Sequence, residues 1–123
     1  MLKGIGTDIV KIQRIKNSVE KFKQKFQRKI YTANEWKYCW EKSNPYPSLA
    51  ARFAAKEAVF KALGVGLGAA NWLDVEVKAD AKGKPFIHLS GSAAEIARSQ
   101  YITYFNLSLS HCSDYAVAFV VVE

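Results

Sequence analysis

Between Ser48 and Gly64 the chain reads Ser-Leu-Ala-Ala-Arg-Phe-Ala-Ala-Lys-Glu-Ala-Val-Phe-Lys-Ala-Leu-Gly, a run that suits a helix and little else. Alanine, leucine, lysine and glutamate lose least on entering a helix. Ser48 stands where a first-turn N–H can be capped, and Gly64 where the left-handed closing residue belongs. The spacing predicts a helix over Leu49–Leu63. Its small residues constrain the remaining fold, because Ala50 and Ala54 leave room for a ligand or a strand to come close.

The start of the chain supplies such a strand. Leu2–Val10 is apolar and rich in β-branched residues, with Gly4 and Gly6 inside it, the pattern of a buried strand whose backbone is closely approached. Asp8 ends this run and is out of character with it. A buried carboxylate is costly unless it is paired, hydrogen-bonded or metal-bound, although an aspartate capping the following turn or helix accounts for it equally well.

Periodicity places the other elements. Val19, Phe22, Phe26 and Ile30 recur at helical spacing among Lys21, Lys23, Lys25, Arg28 and Lys29, which predicts an amphipathic helix with a basic outer face. Thr32-Ala33-Asn34-Glu35 has the capping-box spacing and predicts a second helix to about Lys42. Trp72–Lys78 and Pro85–Leu89 alternate as two strands around an Asp80-Ala81-Lys82-Gly83-Lys84 turn, and Ala93–Gln100 is a short helix opened by Ser90, Gly91 or Ser92. Thr103–Ser110 and Tyr115–Val122 form a last hairpin. Strands that follow one another through short turns favour α+β with a mainly antiparallel sheet over a doubly wound α/β fold.

With 123 residues, half of them apolar, one domain is expected, leaving little interior for a deep cleft unless subunits share a site. The longest apolar run, Tyr115–Val122, is far shorter than the roughly 20 residues of a membrane span, and Met1-Leu2-Lys3-Gly4 lacks an export pattern. A cytoplasmic protein with no membrane role is the expectation. Cys39 and Cys112 lack metal spacing and are expected to be reduced thiols. The net charge of +7 points to a polyanionic partner without choosing among nucleic acid, phosphorylated ligand and acidic protein.

Glu57 and Lys61 are four residues apart and share a helix face with Ala50 and Ala54. As a solvated ion pair they contribute only about 0.3–0.5 kcal/mol. If Asp8 faces Glu57, the two carboxylates form a partial Mg2+ site, since magnesium takes one or two carboxylates and completes its octahedron with waters and substrate phosphates; Lys61 then neutralises a phosphate oxygen beyond it. Arg52 and Lys56 make a second pair on an adjacent face. Gly64-Val65-Gly66-Leu67-Gly68 permits close backbone approach but matches neither the Walker pattern nor the dinucleotide fingerprint. His111, after Ser108-Leu109-Ser110, reads either as a contact to a base or phosphate or as an ordinary loop histidine.

Gly4-Ile5-Gly6-Thr7-Asp8-Ile9-Val10, then Arg52-Phe53-Ala54-Ala55-Lys56-Glu57-Ala58 with Lys61-Ala62-Leu63-Gly64, then Leu107-Ser108-Leu109-Ser110-His111, resemble in order and spacing the holo-acyl-carrier-protein synthase family. Gly83-Lys84-Pro85 and Tyr31-Thr32-Ala33-Asn34-Glu35 extend the likeness, with tyrosine where the family has phenylalanine. The resemblance implies the 4'-phosphopantetheinyl transferase-like fold and transfer of 4'-phosphopantetheine from coenzyme A to a serine of an acidic acyl carrier protein, for fatty acid biosynthesis. It implies Asp8 and Glu57 as Mg2+ ligands and Lys61 on the coenzyme A phosphates. Arg52, Gly64, Lys84, Pro85, Ser110 and His111 would complete the coenzyme A site, and Arg14 with the basic helix would meet the carrier. A homotrimer with sites at subunit interfaces is implied too. The serine proton would go to a metal-bound water or to a carboxylate such as Glu35. The rival reading, a basic nucleic-acid-binding module, leaves Asp8 and Glu57 unexplained; it predicts metal-independent, salt-sensitive binding.

Overall fold

The computed structural model describes residues 1–66 and 70–123. Leu67 and Gly68 of the glycine-rich segment lie outside the described residues. Element order is β1 (Gly4–Lys11), α1 (Ile12–Phe22), α2 (Gln24–Ile30), α3 (Ala33–Trp40), α4 (Tyr46–Leu63), β2 (Val75–Ala79), β3 (Pro85–Leu89), α5 (Gly91–Ser99), β4 (Phe105–His111) and β5 (Tyr115–Val122). β1, β5 and β4 form one antiparallel sheet in that order, and β2 pairs antiparallel with β3 in a second. The α+β architecture with antiparallel sheets is the one the sequence predicts.

α4 is the axis of the molecule. Leu49, Ala50, Ala54, Ala55, Ala58 and Val59 are fully buried, so the helix is apolar around most of its circumference, as a helix sheathed by other elements must be. β1 rests directly on it. A Cβ at Gly6 would overlap the Ala58 carbonyl oxygen, and one at Gly4 the Ala62 carbonyl oxygen; the glycines let strand backbone touch helix backbone. From there the strand alternates. Gly4, Gly6, Asp8 and Val10 face α4 with Ala116, Ala118, Val120 and Val122 of β5 in register beside them, while Ile5, Thr7 and Ile9 face outward.

Several boundaries differ from expectation. Asp8 lies within β1 rather than ending it, opposite Ala118. The single basic helix is two helices, broken at Lys23, which has φ 50° and ψ −126°. Its buried stripe begins earlier than the aromatics suggested, with Ile12, Ile15 and Val19, because β1 feeds straight into α1. A side chain at that backbone angle is strained, so Lys23→Gly is expected to raise the denaturant midpoint by the equivalent of about 1 kcal/mol; an unchanged or lower midpoint would show that the break carries no strain.

α4 starts at Tyr46, before Ser48. Pro47 fits the first turn because its missing N–H needs no partner there, and the Asn44 side chain accepts the Tyr46 N–H at 3.2 Å. Residues Trp72–Asp74, expected as strand, form a 3-10 turn whose start is capped by Asn71. α3 carries the expected capping box, Thr32 with Glu35, and ends at Trp40. Cys39 is buried and Cys112 exposed, both free; burial pushes the Cys39 thiol up to about 11, so it stays protonated and unreactive at neutral pH.

Candidate active site

Asp8 follows the two glycines on the α4-facing side of β1 and emerges where the strand clears the helix, its side chain 12% exposed. Lys61 reaches it from α4. The Lys61 ammonium donates to the Thr7 carbonyl at 2.9 Å and lies 3.3 Å from Asp8 Oδ1. Glu57 sits one turn earlier on the same helix face, half-buried, with its carboxyl close enough to Asp8 to share a hydrogen bond. Burial above all, and then the Asp8 charge and hydrogen bond, push the Glu57 carboxyl above the ordinary carboxylate range; Lys61 and Arg14 pull in the other direction. Two carboxylates held together against their own repulsion at a half-open edge are the donor set a hard divalent cation needs. Among the described residues no group of three or more His, Cys, Asp and Glu forms a closed metal cage, and a magnesium site completed by phosphate and water needs none.

Arg14, on the first turn of α1, places its guanidinium 5.8 Å from the centre of the Phe53 ring and lines a groove of about 430 Å³ with Asn17, Lys21 and Phe22. Gly64 closes α4 in the left-handed conformation at φ 71°, its N–H donated to the carbonyls of Lys61 and Phe60. Asp8, Glu57, Lys61 and Arg14 therefore converge where β1, α1 and α4 meet.

The other expected residues lie elsewhere in the chain. Arg52 is buried, with its guanidinium 4.3 Å over the Tyr38 ring and no partner for Nε among the described residues. It lines a cavity of about 500 Å³ with Tyr38 and Gly83, so it shares a space with the β2–β3 turn. There the Asp80 carboxylate accepts the N–H of Lys82 and of Lys84, each at 2.9 Å, and Pro85 opens β3. Ser110 and His111 end β4, which is separated from β1 by β5. Together with Ile9, Cys112, Tyr115 and Val117 they line a cavity of about 310 Å³, and Ile9, Ser110 and Val117 share the sheet face opposite to Asp8.

Two residues that the sequence left on the margin are central. Lys56, read only as a pair with Arg52 on an adjacent helix face, is completely buried in an ion pair with Glu35 at 2.7 Å. Glu35 fulfils the capping box and is fully engaged, accepting N–H bonds from Thr32 and Val77 besides the ammonium. The capping-box spacing was the signal for Glu35; none announced that Lys56 would meet it.

The fold is that of a transferase, and the chain belongs to the 4'-phosphopantetheinyl transferase superfamily, whose sequence profile matches residues 4–120. It is 46% identical over 123 residues to the holo-[acyl-carrier-protein] synthase of Halothermothrix orenii, covering 100% of this chain and 98% of that one. The crystal structure of the holo-[acyl-carrier-protein] synthase from Neisseria meningitidis superposes with a TM-score of 0.91 at 40% identity over 100% of this chain and 99% of that chain. The Helicobacter pylori synthase in complex with coenzyme A gives 0.86 at 38% identity, over 97% and 99% of the two chains.

Proposed function

We propose that this protein transfers the 4'-phosphopantetheine group of coenzyme A to a serine of an apo acyl carrier protein, releasing adenosine 3',5'-bisphosphate, in fatty acid biosynthesis. The observation that carries the reading is the convergence of Asp8, Glu57 and Lys61 at the β1–α4 junction, in a chain matched end to end by synthases.

The serine oxygen bonds to the β-phosphorus of coenzyme A as the bond from that phosphorus to the bridging oxygen breaks, and the bridging oxygen leaves with the nucleotide. Such chemistry needs positioning and charge stabilisation, and no nucleophile of the enzyme. Asp8 and Glu57 would hold Mg2+, which supplies charge to offset the pyrophosphate. Lys61, held to the Thr7 carbonyl and Asp8, presents its ammonium at the open edge of the site, where it balances a phosphate oxygen. The serine proton ends in solvent without passing through Glu35, whose carboxylate is buried and occupied by Lys56, Thr32 and Val77.

Ser110, His111, Arg52, Gly64 and the Lys84-Pro85 turn complete the coenzyme A site. Their dispersal over one protomer supports a homotrimer in which neighbours assemble the site. So does the outer face of the three-stranded sheet, where Ile5 and Ile9 are 62% and 64% exposed beside Phe119; the solution mass of the assembly checks this. Arg14 and the basic groove of α1 receive the acidic carrier, which opposite charge steers to the site. A cytoplasmic location accords with this role, and among the described residues no helix is long and apolar enough to cross a membrane.

The test is mass spectrometry of an apo acyl carrier protein incubated with this protein, coenzyme A and magnesium, with an EDTA control. A metal-dependent gain of one phosphopantetheine group is expected. No gain, together with tight metal-independent DNA binding, would overturn the reading in favour of a nucleic-acid module.

A further inference from the structure

Lys56 is next to Glu57 in α4 yet points to the other side of the helix, into a closed polar knot. Its ammonium lies 2.7 Å from Glu35 Oε1 and donates to the carbonyls of Val75 at 2.6 Å and Trp72 at 3.1 Å. Glu35 Oε2 accepts the Val77 N–H at 2.9 Å. A further bond, from the Thr32 hydroxyl to Glu76 Oε2 at 2.6 Å, ties the start of α3 to the same strand.

The geometry has a simple meaning for β2. Alternate residues of an antiparallel strand direct their backbone groups to the same edge, so the Val75 carbonyl and the Val77 N–H belong to the edge that β3 leaves unpaired. A third strand would ordinarily satisfy that edge. Here a lysine from α4 supplies the donor and a glutamate from α3 the acceptor.

Stability is a poor account of this arrangement, because buried ion pairs gain little over apolar residues of the same volume. What charge-assisted bonds of fixed length do supply is placement. They set the base of the β2–β3 hairpin against α4, the helix that carries Glu57 and Lys61, while the far end of the hairpin carries the Lys84-Pro85 turn.

We propose that Glu35 and Lys56 are positioning residues for coenzyme A: by pinning the free edge of β2 to α3 and α4, the pair holds the Lys84-Pro85 turn where coenzyme A meets it. Neither residue touches the substrate. The inference rests on the transferase reading and on the assignment of that turn to coenzyme A.

Glu35→Gln keeps the shape and a carbonyl acceptor but removes the charge that holds Lys56. It is expected to raise the KM for coenzyme A about fivefold or more, with kcat and the KM for the carrier protein within about twofold of wild type. Lys56→Arg, which keeps the charge, should lie closer to wild type than Lys56→Met. Folded variants with an unchanged KM for coenzyme A, or with a loss confined to kcat, would overturn the proposal.

Should the variants not fold, hydrogen exchange in the wild-type protein decides. Saturating coenzyme A is expected to slow exchange of the Val77 amide at least about threefold, because ordering the turn tightens the strand it is pinned to; equal rates overturn the proposal. A wild-type protein that modifies no carrier overturns the transferase reading itself, whereas active wild type with kinetically normal Glu35→Gln overturns the positioning role alone.

Discussion

Asp8→Ala and Glu57→Ala are each expected to lower transfer to an apo carrier protein by at least about 10²-fold, the scale of losing a principal transition-state charge partner, while the circular-dichroism spectrum and cooperative melting stay intact. The fold should survive because neither carboxylate is buried in the core, and removing one relieves the repulsion on the other. Wild-type turnover in either variant would remove the carboxylate pair from the mechanism.

The raised Glu57 carboxyl adds a pH signature. Burial and then Asp8 favour its protonated form in the folded protein. Its contribution to stability is thus full below the unfolded-state pKa and is lost as pH rises through the higher folded-state value. A divalent cation held by the pair would restore the loss where both groups are ionised. Magnesium should therefore raise the melting temperature more at a pH of about 8 than of about 5, and Glu57→Gln should shrink the difference. A magnesium effect independent of pH and of Glu57 would place the cation elsewhere.

Gly6→Val should be the most damaging substitution for the fold. The first carbon of any side chain there would collide with the Ala58 carbonyl oxygen, part of a buried helix backbone that cannot give way like a flexible side chain. A cost of at least about 3 kcal/mol is expected, a large share of the 5–15 kcal/mol on the order of which whole domains are stable. Denaturant titration reads it directly. Gly66→Ala, where an added carbon has nothing within 4 Å, serves as the neutral comparison. A Gly6→Val protein that unfolds at the wild-type midpoint would mean that β1 does not rest on α4 backbone to backbone.

Local chemistry made much of this legible in advance. The alanine-rich helix, its Gly64 closure, the Thr32–Glu35 capping box, the Asp80–Lys84 turn and the final hairpin all depend on neighbours within a few residues, and all stand in the structure. Errors arose at element starts, where two signals competed. Ser48 was the better cap by residue type, but Asn44 and the prolines around Tyr46 open the helix earlier. Trp72–Asp74 had strand-like alternation, but Asn71 turns it into a 3-10 turn, and Phe53 stacks on the Trp72 ring with centroids 5.0 Å apart.

The candidate site divides along the same line. Asp8, Glu57 and Lys61 were recognisable because a carboxylate in an apolar strand, and an i, i+4 pair among alanines, are anomalies in the sequence itself. That Asp8 and Glu57 meet follows from glycines that seat one backbone on another.

By itself, then, the sequence determined most of the elements, the family and the residues of the acidic pair, because helix caps, turns and hydrophobic period are written in short stretches of chain. Only the tertiary structure decided which charges are buried. Arg52, Lys56, Glu57 and Lys61 look alike along the helix, yet Lys56 is locked to Glu35, Arg52 is stacked on Tyr38, and Glu57 and Lys61 stand at the open edge. Burial and electrostatic environment belong to the neighbours that folding brings from afar, and no local pattern records them.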